Sequence, residues 1–223
     1  MPVGDDLSHF RLPLVLDASG SNVQVGILDR DGWRSFVIDE KPALESLFTG
    51  LRQCLEEVDS PASVIDAILF CEGPGSTLGL RIAATAAKTI LRENEPSPAL
   101  FLYNALDLAA LLAPDPTTLI LAPFRKGKRL LRRPREGSPL GEIVVLEEDE
   151  VATLAPGVIH LPSPRAWDVI LEGAESLAYD LSLLTGGITD FAPVLRPAET
   201  PEIFNPEPAE FRKWEPDRNL TPE

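Results

Sequence analysis

Asp17 and the turn Gly73-Pro74-Gly75-Ser76 are the residues of this 223-residue chain whose types and spacing carry chemistry. The turn follows an apolar run, residues 64–71, and precedes a helical period, so it sits at a helix N-terminus. Backbone N–H groups without intrahelical partners and the positive end of the helix dipole can hold an anion there. No Lys-Ser/Thr follows the glycines, which excludes a Walker A loop, and Arg81 lies a turn into the helix. The same spacing also describes a sharp strand-to-helix turn with no ligand. Asp17 ends the first β-rich run ahead of Ala18-Ser19-Gly20-Ser21. A carboxylate so placed can hold a metal or orient water. It serves equally as an Asx-turn residue that accepts N–H bonds from the residues after it. Asp17, Ser19, Gly73, Gly75 and Ser76 are the candidate nucleotide site.

Other chemistries are poorly supplied. His9 and His160 are the only histidines, so no local HxxxH or HExxH metal site exists, and no GxSxG elbow presents a serine to His160. Both read as incidental. Cys54 and Cys71 lie in apolar segments without metal-ligand spacing and read as buried thiols. A net charge of -15 opposes the use of the whole surface as a phosphate-binding platform. One segment dissents: Arg125, Lys126, Lys128, Arg129, Arg132, Arg133 and Arg135 crowd together with no acid among them. This is either a strip for an anionic partner or a solvated hairpin around Gly127. The acidic run Glu147-Glu148-Asp149-Glu150 stands at an expected helix start, where negative charge meets the dipole favourably.

The elements that must position these residues are legible in outline. Residues 12–17, 22–28 and 33–38 read as strands of a meander separated by polar turns. Leu44, Leu47, Phe48, Leu51, Leu55 and Val58 share one helix face. The 64–71 run reads as a strand buried on both faces. The helix after it, 77–91, has Leu78, Ile82, Ala86 and Ile90 on one side and small alanines on the other. Residues 99–103 close an order of three strands, helix, strand, helix, strand. Past Asn104 the pattern repeats more weakly: a helix to Leu112, strands 118–122, 143–146 and 158–161 around a basic hairpin, and a helix at 147–154. Residues 163–184 carry helical spacing interrupted by Gly173. From Pro193 the chain is Pro-rich and reads as extended, anchored by Phe204, Phe211 and Trp214. No stretch has the roughly 18 uninterrupted apolar residues of a spanning helix, and residues 1–10 are unlike a signal peptide, which favours the cytoplasm.

Leu14-Val15-Leu16-Asp17-Ala18-Ser19 and Gly73-Pro74-Gly75-Ser76-Thr77-Leu78-Gly79-Leu80-Arg81-Ile82 resemble the two N-lobe signatures of the TsaB (YeaZ) family. The second is the specific match, to a GPGSFTGVRIG motif, and the likeness covers about residues 12–103. Beyond it the likeness rests on element order, an Arg-x-Gly at Arg125 to Gly127 and a Pro-rich, Trp-containing end. The resemblance implies an α/β, two-lobed ribonuclease-H-like fold of the actin, Hsp70 and sugar-kinase ATPase superfamily. It divides the chain into a flexible 1–11, an N-terminal lobe at 12–103, a smaller or degenerate C-terminal lobe at 104–192 and a partly docked tail at 193–223.

It also implies a non-catalytic subunit that supports a threonylcarbamoyl-transferase paralogue, with an accessory ATPase, in tRNA threonylcarbamoyladenosine modification. In such a system the paralogue bears metal-binding histidines after the fifth strand, where this chain reads Asn104-Ala105-Leu106-Asp107-Leu108-Ala109. The family pairs through two N-lobe helices, which assigns the partner interface, with the paralogue or a second copy, to Leu44, Leu47, Leu51, Leu78, Arg81, Ile82 and Ala86. No intrinsic cofactor is implied, only ATP or ADP at the partner interface, and tRNA contact is indirect. The chain departs from the family at Pro123-Phe124-Arg125-Lys126-Gly127, where an acid is lost. One rival reading is an ATPase or kinase of the same superfamily that uses Asp17 and the Gly73–Ser76 corner, and another makes the Arg125–Arg135 strip a direct, salt-dependent tRNA contact.

Overall fold

The computed structural model describes residues 7–115, 117–151, 153–154, 157–162 and 172–207. Its first sheet begins with the antiparallel meander β1 (Pro13–Asp17), β2 (Val23–Leu28) and β3 (Trp33–Asp39). Helix α1 (Ala43–Glu57) leads to β4 (Ala67–Gly73), which pairs parallel to β1. Helix α2 (Thr77–Glu93) leads to β5 (Ala99–Asn104), parallel to β4. β1, β2 and β4 are buried along their whole lengths because both faces of the sheet are covered. The two-residue period decides which side chain meets which cover. Leu14, Leu16, Ile68 and Phe70 turn toward α1 and α2, while Val15, Leu69 and Cys71 turn to the opposite core.

Helix α3 (Ala105–Leu112) is shared between the two halves of the molecule. Ala105 and Leu108 pack under the first sheet, and Leu106, Ala109 and Ala110 pack under the second. The second sheet is built from β6 (Leu119–Arg125), β7 (Lys128–Arg135) and β8 (Ser138–Glu147), again an antiparallel meander. After the single turn α4 (Glu148–Val151) come β9 (Val158–His160), parallel to β6, and β10 (Glu175–Ser176), parallel to β9. Each sheet is therefore a meander whose first strand carries two further parallel strands. With β11 (Arg196–Ala198) added at the edge of the first sheet, the orders are β11-β5-β4-β1-β2-β3 and β10-β9-β6-β7-β8. The weak repeat in the sequence is this duplicated topology, in a mixed α/β fold of two lobes.

Several expectations are corrected in the second half. The basic hairpin is not an excursion between strands, because, the two-residue turn aside, its residues are the last of β6 and the whole length of β7. The helix expected at 147–154 shrinks to α4. The helical spacing at 163–184 lies partly outside the described residues. Its described part forms β10 and a 3-10 turn, Leu181–Leu183, and Gly173 has a φ of 81°, outside the right-handed helical region. Leu181, Leu184, Ile188, Phe191, Val194 and Leu195 then fill the core beneath the first sheet. The chain passes through α5 (Ile188–Phe191) to β11 (Arg196–Ala198), which pairs antiparallel with β5. Phe204 packs against the core around α3 and the second sheet, whereas Phe211 and Trp214 lie outside the described residues. Among the described residues no helix is long and apolar enough to cross a membrane.

Candidate functional site at the junction of the two sheets

Both N-lobe signatures meet in one joint. The Asp17 carboxylate is fully buried, and its Oδ1 accepts from the Ser19 N–H at 2.9 Å and the Ser19 hydroxyl at 2.6 Å. That is the Asx-turn arrangement. Its Oδ2 accepts from the Tyr103 hydroxyl at 2.9 Å and the Tyr179 hydroxyl at 2.8 Å. Four donors thus hold the charge that burial would otherwise make costly. Burial first, and the Asp17 charge second, push both tyrosine hydroxyls well above their ordinary pKa. The Cys71 thiol is pushed up for the same two reasons in the same order.

The Gly73–Ser76 corner packs against that turn. Ser76 donates its N–H to the Ser19 carbonyl at 2.7 Å, and its hydroxyl caps α2 by accepting from the Gly79 N–H at 3.2 Å. A Cβ on Gly75 would run into the Ser19 carbonyl oxygen, and one on Gly79 into that of Ala18. The glycines are spaced for this close approach of two backbones. Next to the corner, Glu72 accepts from Asn104 Nδ2 at 3.1 Å and pairs with Arg196 at 2.6 Å. Asn104 in turn caps α3 by accepting from the Leu106 N–H at 3.0 Å.

Between the sheets, over this joint, lies a cavity of about 460 Å³. Ser19, Asn22, Gln24, Ser76, Thr77 and Tyr179 supply its polar wall, and Ile38, Pro74, Ala122, Pro123 and Leu161 are among its apolar lining. Among the described residues Asp180 is the one carboxylate in the lining, and it accepts from the Ser182 N–H at 2.9 Å to cap the 3-10 turn. The structure brings Ser19, Gly75 and Ser76 to the cavity wall but sets Asp17 behind it. Gln24 accepts from the Leu181 N–H at 2.8 Å and donates to the Tyr179 carbonyl at 3.1 Å, and so fastens the 179–181 segment to the meander. The sequence could not pair Tyr179 with Asp17 across 162 positions. The one signal was that the chain has only two tyrosines.

The assigned interface residues divide. Leu78 is 69% exposed and Leu44 61%, Arg81 is exposed, and Leu51 and Ile82 are half-buried. Leu47 and Ala86 are corrected, because they are buried against the molecule's own first sheet together with Ala83, Ala84 and Ala87. The thin side of α2 is thus used internally. Phe48, 48% exposed and beside Leu44 on α1, is the apolar side chain that the assignment missed.

The basic strip divides as well. Arg125, Lys126 and Arg133 are exposed. Arg129 and Arg132 are corrected: each is only 2% exposed, because alternation along β7 turns them into opposite faces of a covered sheet. Arg132 donates to Asp107 of α3 at 2.7 Å. Arg129 lies 2.8 Å from His160 Nε2 and 3.6 Å from Glu148. His160, fully buried there, is a structural partner, not an incidental residue. Lys128 pairs with Glu147 and Glu207.

A family model described as TsaD, tRNA N6-adenosine threonylcarbamoyltransferase, matches residues 41–95, the span from α1 through the corner to the end of α2. No curated protein matches the sequence. A solved structure described as YeaZ from Pseudomonas aeruginosa superposes with a TM-score of 0.53 at 19% identity, covering 67% of this chain and 74% of that one. The chain has a YeaZ-like fold. A second solved structure, described as an uncharacterized protein with similarity to peptidase YEAZ from the same organism, matches with the same TM-score, identity and coverage. The structural matches show the fold, and the TsaD match covers the signature segment from α1 to the end of α2.

Proposed function

We propose that this chain is a non-catalytic TsaB-like subunit that supports a threonylcarbamoyl-transferase paralogue in the threonylcarbamoyladenosine modification of tRNA. The observation that carries the reading is the capture of Asp17 by Ser19, Tyr103 and Tyr179. A carboxylate whose two oxygens take four donors has no lone pair aimed into the cleft, so it serves neither as a metal ligand nor as a base there. The chain in this reading carries no cofactor of its own, and ATP or ADP binds only at the partner interface. An accessory ATPase and a cytoplasmic location belong to the same reading.

The exposed faces of α1 and α2 support a partner that presents the same pair of helices. Besides the exposed Leu44, Phe48 and Leu78, α1 carries exposed Glu45, Glu56 and Glu57 against one Arg52, while α2 carries exposed Arg81, Lys88 and Arg92 against one Glu93. When such a pair meets its counterpart across a two-fold or pseudo-two-fold axis, acidic helix faces basic helix around an apolar centre. Co-purification from the protein's own source tests this. The tagged chain is expected to recover a protein with the transferase histidines, and a Phe48→Asp, Leu78→Asp variant to lose it. Recovery of no such paralogue by the folded chain sinks the reading. ATP hydrolysis by the pure protein, abolished by Asp17→Asn, would favour a superfamily ATPase instead.

A further inference from the structure

Past β11 the chain crosses from one lobe to the other. The Phe204 N–H donates to the Glu72 carbonyl of the first sheet at 2.9 Å, and its ring packs against the core around α3 and the second sheet. Three residues on, Glu207 reaches the tip of the β6–β7 hairpin. One of its carboxylate oxygens lies 2.9 Å from Arg125 Nη1, and the other 2.7 Å from Lys128 Nζ. Arg125 and Lys128 are register partners that flank the two-residue turn, and the intervening Lys126 is exposed. The Arg125 guanidinium lies 4.7 Å over the Phe124 ring, which fixes its position. Lys128 is shared with Glu147 at 3.1 Å, and the Glu148 N–H donates to the Gly127 carbonyl at 3.0 Å, so among the described residues Glu207 is the acid brought to the tip from a distant segment. Pro123, at the base of the tip, lines the cavity between the sheets.

Two cations that take one oxygen each from a single carboxylate hold it as they would hold two oxygens of a phosphate. In a chain of charge -15, most of the surface repels a polyanion and contact is confined to places such as this. We propose that Glu207 is a displaceable internal stand-in for a backbone phosphate of RNA at the Arg125–Lys128 tip. The strap that carries it thereby masks an RNA contact until the nucleic acid competes for the two cations. This rests on the reading of the chain as part of a tRNA-modifying assembly. It adds a direct contact where the family resemblance implied none.

The ion pairs are partly exposed and individually weak. The competition is therefore shallow, and the apparent affinity falls only by the fraction of molecules in which the tip is already taken. Fluorescence anisotropy with a labelled RNA stem-loop, across about 50–200 mM salt, measures it. Glu207→Gln is expected to bind RNA about three- to tenfold more tightly than the wild type. Its salt dependence should steepen by about one phosphate contact. Arg125→Ala with Lys128→Ala should lose the gain whether Glu207 is present or not, with thermal melting to establish that each variant is folded. An unchanged affinity in folded Glu207→Gln overturns the proposal, as does undiminished binding by the double variant. A gain seen with inorganic tripolyphosphate and not with RNA overturns the assignment to nucleic acid. Paralogue recovery through α1 and α2 is unaffected by Glu207→Gln, so failure here and failure of the subunit reading are told apart.

Discussion

Asp17 illustrates how far one residue's position constrains its chemistry. Its place at the end of a strand before a Ser-Gly turn was legible in the sequence, but two opposite uses fitted that place. In the structure the hydroxyls of Tyr103 and Tyr179 join the Ser19 donors on its carboxylate. Because these are the only tyrosines in the chain, an absorbance titration reads the joint directly. In the unfolded chain a tyrosine releases its proton near pH 10. Both native hydroxyls hold theirs to well above that value. The native state therefore binds more protons at alkaline pH. The contribution is complete below the ordinary tyrosine pKa and is lost as pH rises beyond it. Tyrosinate absorbance should stay absent past pH 10 and then appear for both residues together with unfolding. Separate, non-cooperative titration near pH 10 would mean that the hydroxyls are not on Asp17. Asp17→Ala, which leaves the donors around it without their acceptor, should cost about 2–3 kcal/mol in chemical denaturation.

Among the elements, the corner and β7 show what pattern reading catches and what it misses. The strand, turn and helix around Gly73–Ser76 were legible because buried strands read as apolar runs and helices as 3.6-residue periods. That the glycines serve close backbone packing needed the facing Ser19 turn in space. Gly75→Ala should cost about 1–3 kcal/mol through overpacking against the Ser19 carbonyl, measured as a shift in the denaturation midpoint. In β7 the string of cations concealed its own alternation. A run of Arg and Lys looks uniformly polar, yet Arg129 and Arg132 are covered while Arg133 is not. The buried Arg132–Asp107 pair predicts an asymmetric result. Arg132→Ala, which strands a buried carboxylate, should cost about 3–5 kcal/mol. Arg133→Ala should change stability by less than about 0.5 kcal/mol. Equal effects of the two would contradict the described register.

Across the whole molecule, the second half was legible as a weaker repeat of the first half's element pattern, and the fold class came with the family resemblance. The long-range ties were not visible, because each is a single side chain reaching over a long separation: Tyr179 to Asp17, Gln24 to Leu181, Glu207 to Arg125. No periodicity encodes such contacts. These ties surround the cavity between the sheets, and the Asp17 carboxylate behind its wall already takes four donors. The central claim is that the molecule acts through the exposed faces of α1 and α2 and not through chemistry in its cleft. The most direct test is the threonylcarbamoyladenosine content of tRNA, measured by mass spectrometry of nucleosides, in a strain lacking the gene and complemented with variants. The account predicts that the deletion lowers the modified nucleoside and that the wild type restores it. It predicts that a folded Phe48→Asp, Leu78→Asp variant does not. Full modification in the deletion strain, or full rescue by the folded interface variant, would contradict it.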